Sequence, residues 1–376
     1  MSEEKHFSRD IRLRLEMCST CMKMCRDNCP TAIASSSESF TPYIRSLNVT
    51  LNEKAIRSYD EGALDSIFSC LTCNLCNSFC LPKVDEEDLM KLARASIVES
   101  GVDVSKYSKI GESIAAYHNP LQEAHQNRID SVKDLISENE DSDILLFLGC
   151  MGSYREIEIA RASIELLNKL KIKFTIMQDE WCCGSPAIQT GFLKQAEETM
   201  QHNVAEWKER GIKQIITPCS ACYRTIKTIY PKHVADFDFE VQHAIEAVIS
   251  TIGDGQLQEL ASKVTYHDPC HLGRAANVYD APRELLQKKI PGLELVEMQH
   301  SREASFCCGS GGGVRANFPE LAQAVGALRI DEAHETDAEY LISACPLCKY
   351  HFKELPNIGN LKILDIVELL NQLLIL

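Results

Sequence analysis

Four stretches set the rhythm of the chain. Residues 144–150 (ILLFLGC) form a continuous apolar run that ends in cysteine, and residues 155–170 (REIEIARASIELLNKL) then repeat apolar positions at helical spacing. Residues 213–219 (KQIITPC) and 340–345 (YLISAC) also run apolar into a cysteine that opens a C-x2-C pair. A short apolar run bounded by turn residues predicts a buried strand, and a 3.6-residue period predicts a helix. Strand, cysteine loop and helix in that order predict α/β units with a parallel sheet, whose sites gather at the carboxyl ends of the strands. The last residues, 361–376 (LKILDIVELLNQLLIL), are amphipathic and predict an element that packs on the second repeat described below. Residues 130–143 (DSVKDLISENEDSD) are polar and acidic and read as a linker.

With 376 residues the chain has room for two or three domains. An apolar share of 45% and a charged share of 25% exclude a disordered chain, a collagen or a coiled coil. The balance of 39 basic against 54 acidic residues gives a net charge of −15, which repels phosphates and excludes nucleic acid as a partner. The uncharged run 181–193 holds Cys, Gly and Pro and falls short of the roughly 18–20 apolar residues of a spanning helix, so no transmembrane segment of its own is expected. The start, MSEEKHFSRDIRLRLE, alternates charge and has no apolar core for a secretory signal, which makes a reducing cytoplasm the expected compartment. Cysteine changes the picture. Eighteen are present, too dilute in too long a chain for a disulfide-stapled scaffold.

Eight of them lie in the first 80 residues. Cys18, Cys21, Cys25 and Cys29 form C-x2-C-x3-C-x3-C-P, and Cys70, Cys73, Cys76 and Cys80 form C-x2-C-x2-C-x3-C-x-P. The second run has the spacing of a bacterial two-cluster ferredoxin, in which three close thiolates hold one cubane and the fourth reaches the other. By that logic one [4Fe–4S] cluster takes Cys18, Cys21, Cys25 and Cys80, and the other takes Cys70, Cys73, Cys76 and Cys29. Paired zinc sites compete for the same C-x2-C spacing. The x3 after Cys21 and the extra Leu81 before Pro82 depart from the usual pattern and bear on which ligand goes where.

The other ten cysteines form two copies of one unit. Cys150, Cys182, Cys183, Cys219 and Cys222 are followed, at an offset drifting only from 120 to 126 residues, by Cys270, Cys307, Cys308, Cys345 and Cys348. Each copy reads C…CCG…C-x2-C, and a repeat of this length implies duplicated domains rather than a solenoid. Buried small hydrophobes, a thioredoxin-type dithiol at 345–348 (CPLC) and zinc are the competing uses of these thiols. The run GSGGG (309–313) lacks the phosphate-loop signature, and a steric reading fits better: without Cβ atoms the backbone can approach a cluster or a substrate sulfur. His267 and His271 flank Cys270 as candidate proton donors, though a structural role is the commoner one for such histidines.

Two complete C…CCG…C-x2-C units behind a two-cluster ferredoxin segment resemble the heterodisulfide reductase catalytic subunit family, from Cys18 to Cys348. A looser likeness links them to the iron–sulfur subunits of glycolate oxidase, lactate utilisation and anaerobic glycerol-3-phosphate dehydrogenase systems, which the stretch 29–42 (CPTAIASSSESFTP) shares. Both C-x2-C pairs are intact, and CCGSGGGVR (307–315) is similar to the disulfide-reducing members. The resemblance implies an α/β protein with a mostly helical two-cluster ferredoxin domain at 1–100, a linker and helical connection at 101–142, and CCG domains at 143–250 and 262–376. It implies two cubane clusters as a wire and two noncubane [4Fe–4S] clusters, one on each cysteine pentad. The catalytic positions it implies are Cys150, Cys183, Cys270 and Cys308. Paired one-electron centres would split a small disulfide into two thiols without a flavin. The electron donor would be a membrane cytochrome b or a soluble flavoprotein, and the former would hold the chain peripherally at the inner face of the membrane. The alternative it leaves is an electron-transfer subunit of a flavin-dependent glycolate, D-lactate or glycerol-3-phosphate dehydrogenase.

Overall fold

A computed structural model describes residues 7–21, 24–136 and 142–375; the first six residues, residues 22–23, part of the acidic linker and the final residue lie outside the described residues. The chain divides into two compact units. One comprises Met1–Gly111, Pro186–Leu193 and Phe306–Arg329; the other comprises Glu112–Ser185, Lys194–Ser305 and Ile330–Leu376.

The first unit is built from helices whose starts are written in the sequence. Ser8 and Asp60 accept hydrogen bonds from the N–H groups of Ile11 and Ala63, capping the helices Arg9–Thr20 and Glu61–Phe68. Pro30 and Pro42 open the helices Pro30–Ser35 and Pro42–Glu53, where a missing N–H is harmless. These pack with Glu86–Glu99 around Leu15, Val49, Ile67, Phe68, Leu89 and Met90. Phe68 stacks on Tyr107 with ring centroids 4.2 Å apart, closing the core at its edge.

The second unit holds two parallel sheets. Strands β1 (Ile144–Leu146), β2 (Gln214–Thr217) and β3 (Glu240–His243) lie in the order β1-β2-β3, and Thr175 adds a parallel bridge on the outer side of β1. Strands β4 (Lys263–His267), β5 (Glu294–Leu295), β6 (Tyr340–Ser343) and β7 (Lys362–Asp365) follow in the order β5-β4-β6-β7, all parallel. The bridge at Thr175 matches β5, so both sheets carry the same order, and the duplication legible in the cysteines is a duplication of fold. Leu145, Leu146, Ile215, Ile216, Leu341 and Ile342 are fully buried, as expected of parallel strands covered on both faces.

The chain end departs from the expectation of one amphipathic element on the second repeat. Its first residues form β7, the edge of the second sheet, and the helix Ile366–Leu373 then packs against Ile157–Lys169 of the first repeat. Lys169 Nζ donates to the Asn371 carbonyl at 2.8 Å, and Asn371 donates to Glu165 at 2.8 Å. The tail thus ties the repeats together rather than covering one of them.

Candidate functional site

The eight N-terminal cysteines surround two cavities. One is lined by Cys29, Cys70, Cys73 and Cys76; the other is lined by Cys18, Cys21, Cys25 and Cys80, and Cys76 reaches both. Backbone bends let closely spaced thiols converge: Thr72 and Asn74 adopt φ of +48° and +58°, and Thr72 Oγ1 donates to Gln189 Oε1 at 2.8 Å. Burial raises the Cys70 and Cys76 thiols, and burial with the Glu86 carboxyl pushes Cys25 up to about 12. Thiols raised in this way become ligands once a cation takes up the charge of the thiolate, so four cysteines gathered round a cavity suit a metal cluster.

Each repeat delivers its cysteines from the carboxyl ends of strands. Cys150 follows β1 on the short helix Gly149–Tyr154, Cys219 caps Ser220–Arg224 after β2, Cys270 follows β4, and Cys345 caps Pro346–Lys353 after β6. In the first repeat all five converge. Cys150 lies within hydrogen-bonding reach of Cys182, Cys182 of Cys183, Cys183 of Cys222 and Cys222 of Cys219. Cys219 is also within reach of Cys345, so the C-x2-C pairs of the two repeats meet. Hydrogen bonds from Cys182 and Cys222 pull Cys183 below the ordinary thiol range, whereas Cys182 is pushed above it. Such crowding of buried sulfurs suits a multinuclear metal group. Cys307 and Cys308 are buried and belong to the segment that clusters with the first unit. His267 ends β4, fully buried and edge-on to Phe352, and His271 is buried one residue beyond Cys270.

The supports of this site carry no motif. Buried Glu180 accepts from the Leu148 and Gly149 N–H groups at 3.2 and 2.9 Å and pairs with Arg128 at 3.2 Å, fixing the turn that carries Cys150. Gly149 has φ +71°, and a Cβ there would lie 2.9 Å from Cys222 Sγ. Asn203 accepts from Trp181 N–H at 3.0 Å and donates to the Trp181 and Cys182 carbonyls, holding the double-cysteine loop. Trp181 is stacked between His118 and His202, at 3.6 and 4.0 Å. In the second repeat Asp268 grips Arg283 at 2.8 and 2.9 Å and accepts from Arg302 N–H at 2.7 Å, steadying the approach to Cys270. In the GSGGG run a Cβ on Gly311 or Gly312 would meet the carbonyls of Leu71 or Cys70 at 2.6 or 2.2 Å, so the missing side chains let this backbone lie against the loop that carries Cys70.

Comparison with known proteins adds independent support. Residues 144–227 and 264–353 match the model of a cysteine-rich domain, and residues 17–85 match a 4Fe-4S dicluster domain. The chain is 35% identical over 321 residues to one of the subunits of the dihydromethanophenazine:CoB–CoM heterodisulfide reductase of Methanosarcina barkeri, covering 82% of this chain and 78% of that one. It is 30% identical over 368 residues to one of the subunits of the fumarate reductase (CoM/CoB) of Methanothermobacter marburgensis, covering 96% and 72%. It is also 32% identical to the probable iron-sulfur-binding oxidoreductase FadF of Bacillus subtilis, over 82% of this chain and 46% of that protein.

Proposed function

The chain belongs to the heterodisulfide reductase catalytic subunit family, and from that premise we propose that it is the subunit in which a small disulfide is reduced to two thiols. It is an iron–sulfur oxidoreductase. Cys18, Cys21, Cys25 and Cys80 would hold one cubane, and Cys29, Cys70, Cys73 and Cys76 the second. Cys150, Cys182, Cys183, Cys219 and Cys222 would hold one noncubane cluster; Cys270, Cys307, Cys308, Cys345 and Cys348, by their place in the repeat, would hold the other. Bound clusters of this kind store and pass single electrons.

Breaking the S–S bond takes two electrons and two protons, one of each for either sulfur. The chain's own part is to hold the thiolates in place through Glu180, Asn203 and Asp268, and to supply protons from His267, His271 or water beside them. The observation that carries this reading is the pair of intact pentads, whose C-x2-C arms meet at Cys219 and Cys345. Among the described residues no helix is long and apolar enough to cross a membrane, which suits a cytoplasmic subunit that reaches a membrane, where it does, through a cytochrome or flavoprotein partner.

Anaerobically purified protein should contain about sixteen irons, from four 4Fe clusters, and no zinc. Reduced viologen should then drive cleavage of a mixed disulfide of two small thiols. If no candidate disulfide is cleaved while a flavin dehydrogenase reduces every cluster, the chain is an electron conduit. Stoichiometric zinc would remove the cluster reading altogether.

A further inference from the structure

Arg45 is almost fully buried on the helix Pro42–Glu53 and lines the Cys29, Cys70, Cys73 and Cys76 cavity. Its guanidinium donates to Cys29 Sγ at 3.6 Å, to Thr31 Oγ1 at 2.7 Å, to the Ser66 carbonyl at 2.9 Å and to Ser69 Oγ at 3.3 Å. None of these hydrogen bonds goes to a carboxylate. Of the sulfurs that line the cavity, that of Cys29 is hydrogen-bonded directly by this buried guanidinium. Arg94, fully buried, adds a second guanidinium whose hydrogen bonds go to the carbonyls of Ile67, Cys70, Gln189 and Gly312. Glu87 also lines this cavity, but Lys91 pairs with it at 3.2 Å.

The other cavity, which shares Cys76 in its lining, has a carboxyl rather than a guanidinium beside it. Its buried charged residue is Glu86, whose carboxylate accepts from Ser46 Oγ at 2.8 Å and from Cys18 Sγ at 3.4 Å. In either protonation state Glu86 brings no positive charge. Lys83, near Cys80, donates to the carbonyls of Asn77 and Ser78 at the exposed surface, where water screens it. A buried fixed charge and hydrogen bonds to cluster sulfurs are two of the levers that set an iron–sulfur potential.

We propose that Arg45 sets the reduction potential of the iron–sulfur site formed by Cys29, Cys70, Cys73 and Cys76, holding it above that of the site formed by Cys18, Cys21, Cys25 and Cys80. The guanidinium stabilises the electron that arrives, so the two sites of the wire are unequal and electrons collect at the first. Arg45 is a positioning residue in this role, because it acts on the electron through the cysteine sulfurs. The inference rests on the cluster reading above.

The test is a redox titration of the full-length, iron-loaded protein followed by electron paramagnetic resonance. Of the two cubane signals, the higher-potential one should be lost or altered in Cys73→Ser. Arg45→Gln should lower that midpoint alone, by at least tenfold in the reduction equilibrium, which is 59 mV for one electron. In the Cys73→Ser background the same substitution should leave the remaining cubane unmoved. Arg45→Lys keeps the charge and loses the fork, so it should shift the same midpoint by less; it serves if the Gln variant does not retain iron. Full iron with neither midpoint moved, both moved together, or loss of the lower-potential signal in Cys73→Ser overturns the proposal. Absence of cubane signals from the unaltered protein would instead overturn the cluster reading beneath it.

Discussion

A Cβ at Gly312 would lie 2.2 Å from the Cys70 carbonyl oxygen, and the backbone there has φ +62°. Left-handed backbone costs an alanine about 1–2 kcal/mol, and overpacking adds about 1–3. Gly312→Ala should therefore lower the thermal midpoint and release iron from the adjoining Cys29 and Cys70 site first, as read by calorimetry and iron analysis. His243 gives a pH dependence. It is fully buried, its Nδ1 accepts from Ile245 N–H, and burial draws its pKa down to about 4. The unfolded chain, with an ordinary histidine near 6.5, binds this proton earlier. Its contribution is complete above about pH 6.5 and is lost as pH falls toward 4, at about 1.4 kcal/mol per unit. Unfolding free energies from urea titrations at pH 7.5 and 5.5 should differ less in His243→Asn, by about 1.4 kcal/mol; an unchanged difference would mean that His243 takes up no proton on unfolding. The cysteines could be read from the chain because their chemistry shows in their spacing. Arg45, Arg94, Glu180 and Asn203 could not, since what distinguishes them is burial beside sulfur or a loop, and that exists only once the chain has folded.

At the scale of elements, strands β1, β2 and β6 were legible as apolar runs into cysteine. Strands β3 and β7 were not: EVQH and KILD are short edge segments, and KILD merges in the sequence with the amphipathic helix behind it. What binds these elements together is partly ionic. Lys349 on the helix Pro346–Lys353 lies between Glu156 Oε2 at 2.7 Å and Glu368 Oε1 at 2.8 Å, so one ammonium ties the start of a first-repeat helix to the last helix of the chain. All three side chains are at most 7% exposed. Removing one partner of such a group leaves uncompensated buried charge and costs about 3–5 kcal/mol. Lys349→Met should lower the urea midpoint accordingly, whereas Lys353→Met, at a half-exposed position against the same Glu156, should cost about 1 kcal/mol or less. Equal losses would mean that the pairing is not what holds the helices.

The whole molecule is less sequential than its motifs. An N-terminal ferredoxin segment and two later repeats read as beads on a string, but the first unit takes in residues 186–193 and 306–329. No spacing rule announces this, because the links are buried backbone carbonyls: Arg94 reaches those of Gln189 and Gly312 at 2.6 and 2.9 Å. The Gly312 N–H in turn donates to Gln189 Oε1 at 2.9 Å. A fragment of residues 1–111 should therefore bind fewer than the about eight irons that two 4Fe clusters require and should melt below the full chain. A fragment that matches the full chain in both would show that the later segments only lean on a finished unit. The same arrangement fixes a timetable. At about 5–20 residues per second, a ribosome that has made residue 111 needs roughly 10–45 s more to reach residue 329. Until residue 189 is made Arg94 lacks two of its acceptors, and until residue 312 is made it lacks one and the loop at Cys70 lacks the glycines that pack against it. Iron delivery to this end of the protein is thus expected to wait until residue 312 has been made, because a nascent chain arrested before it lacks the glycine segment that packs against the loop at Cys70.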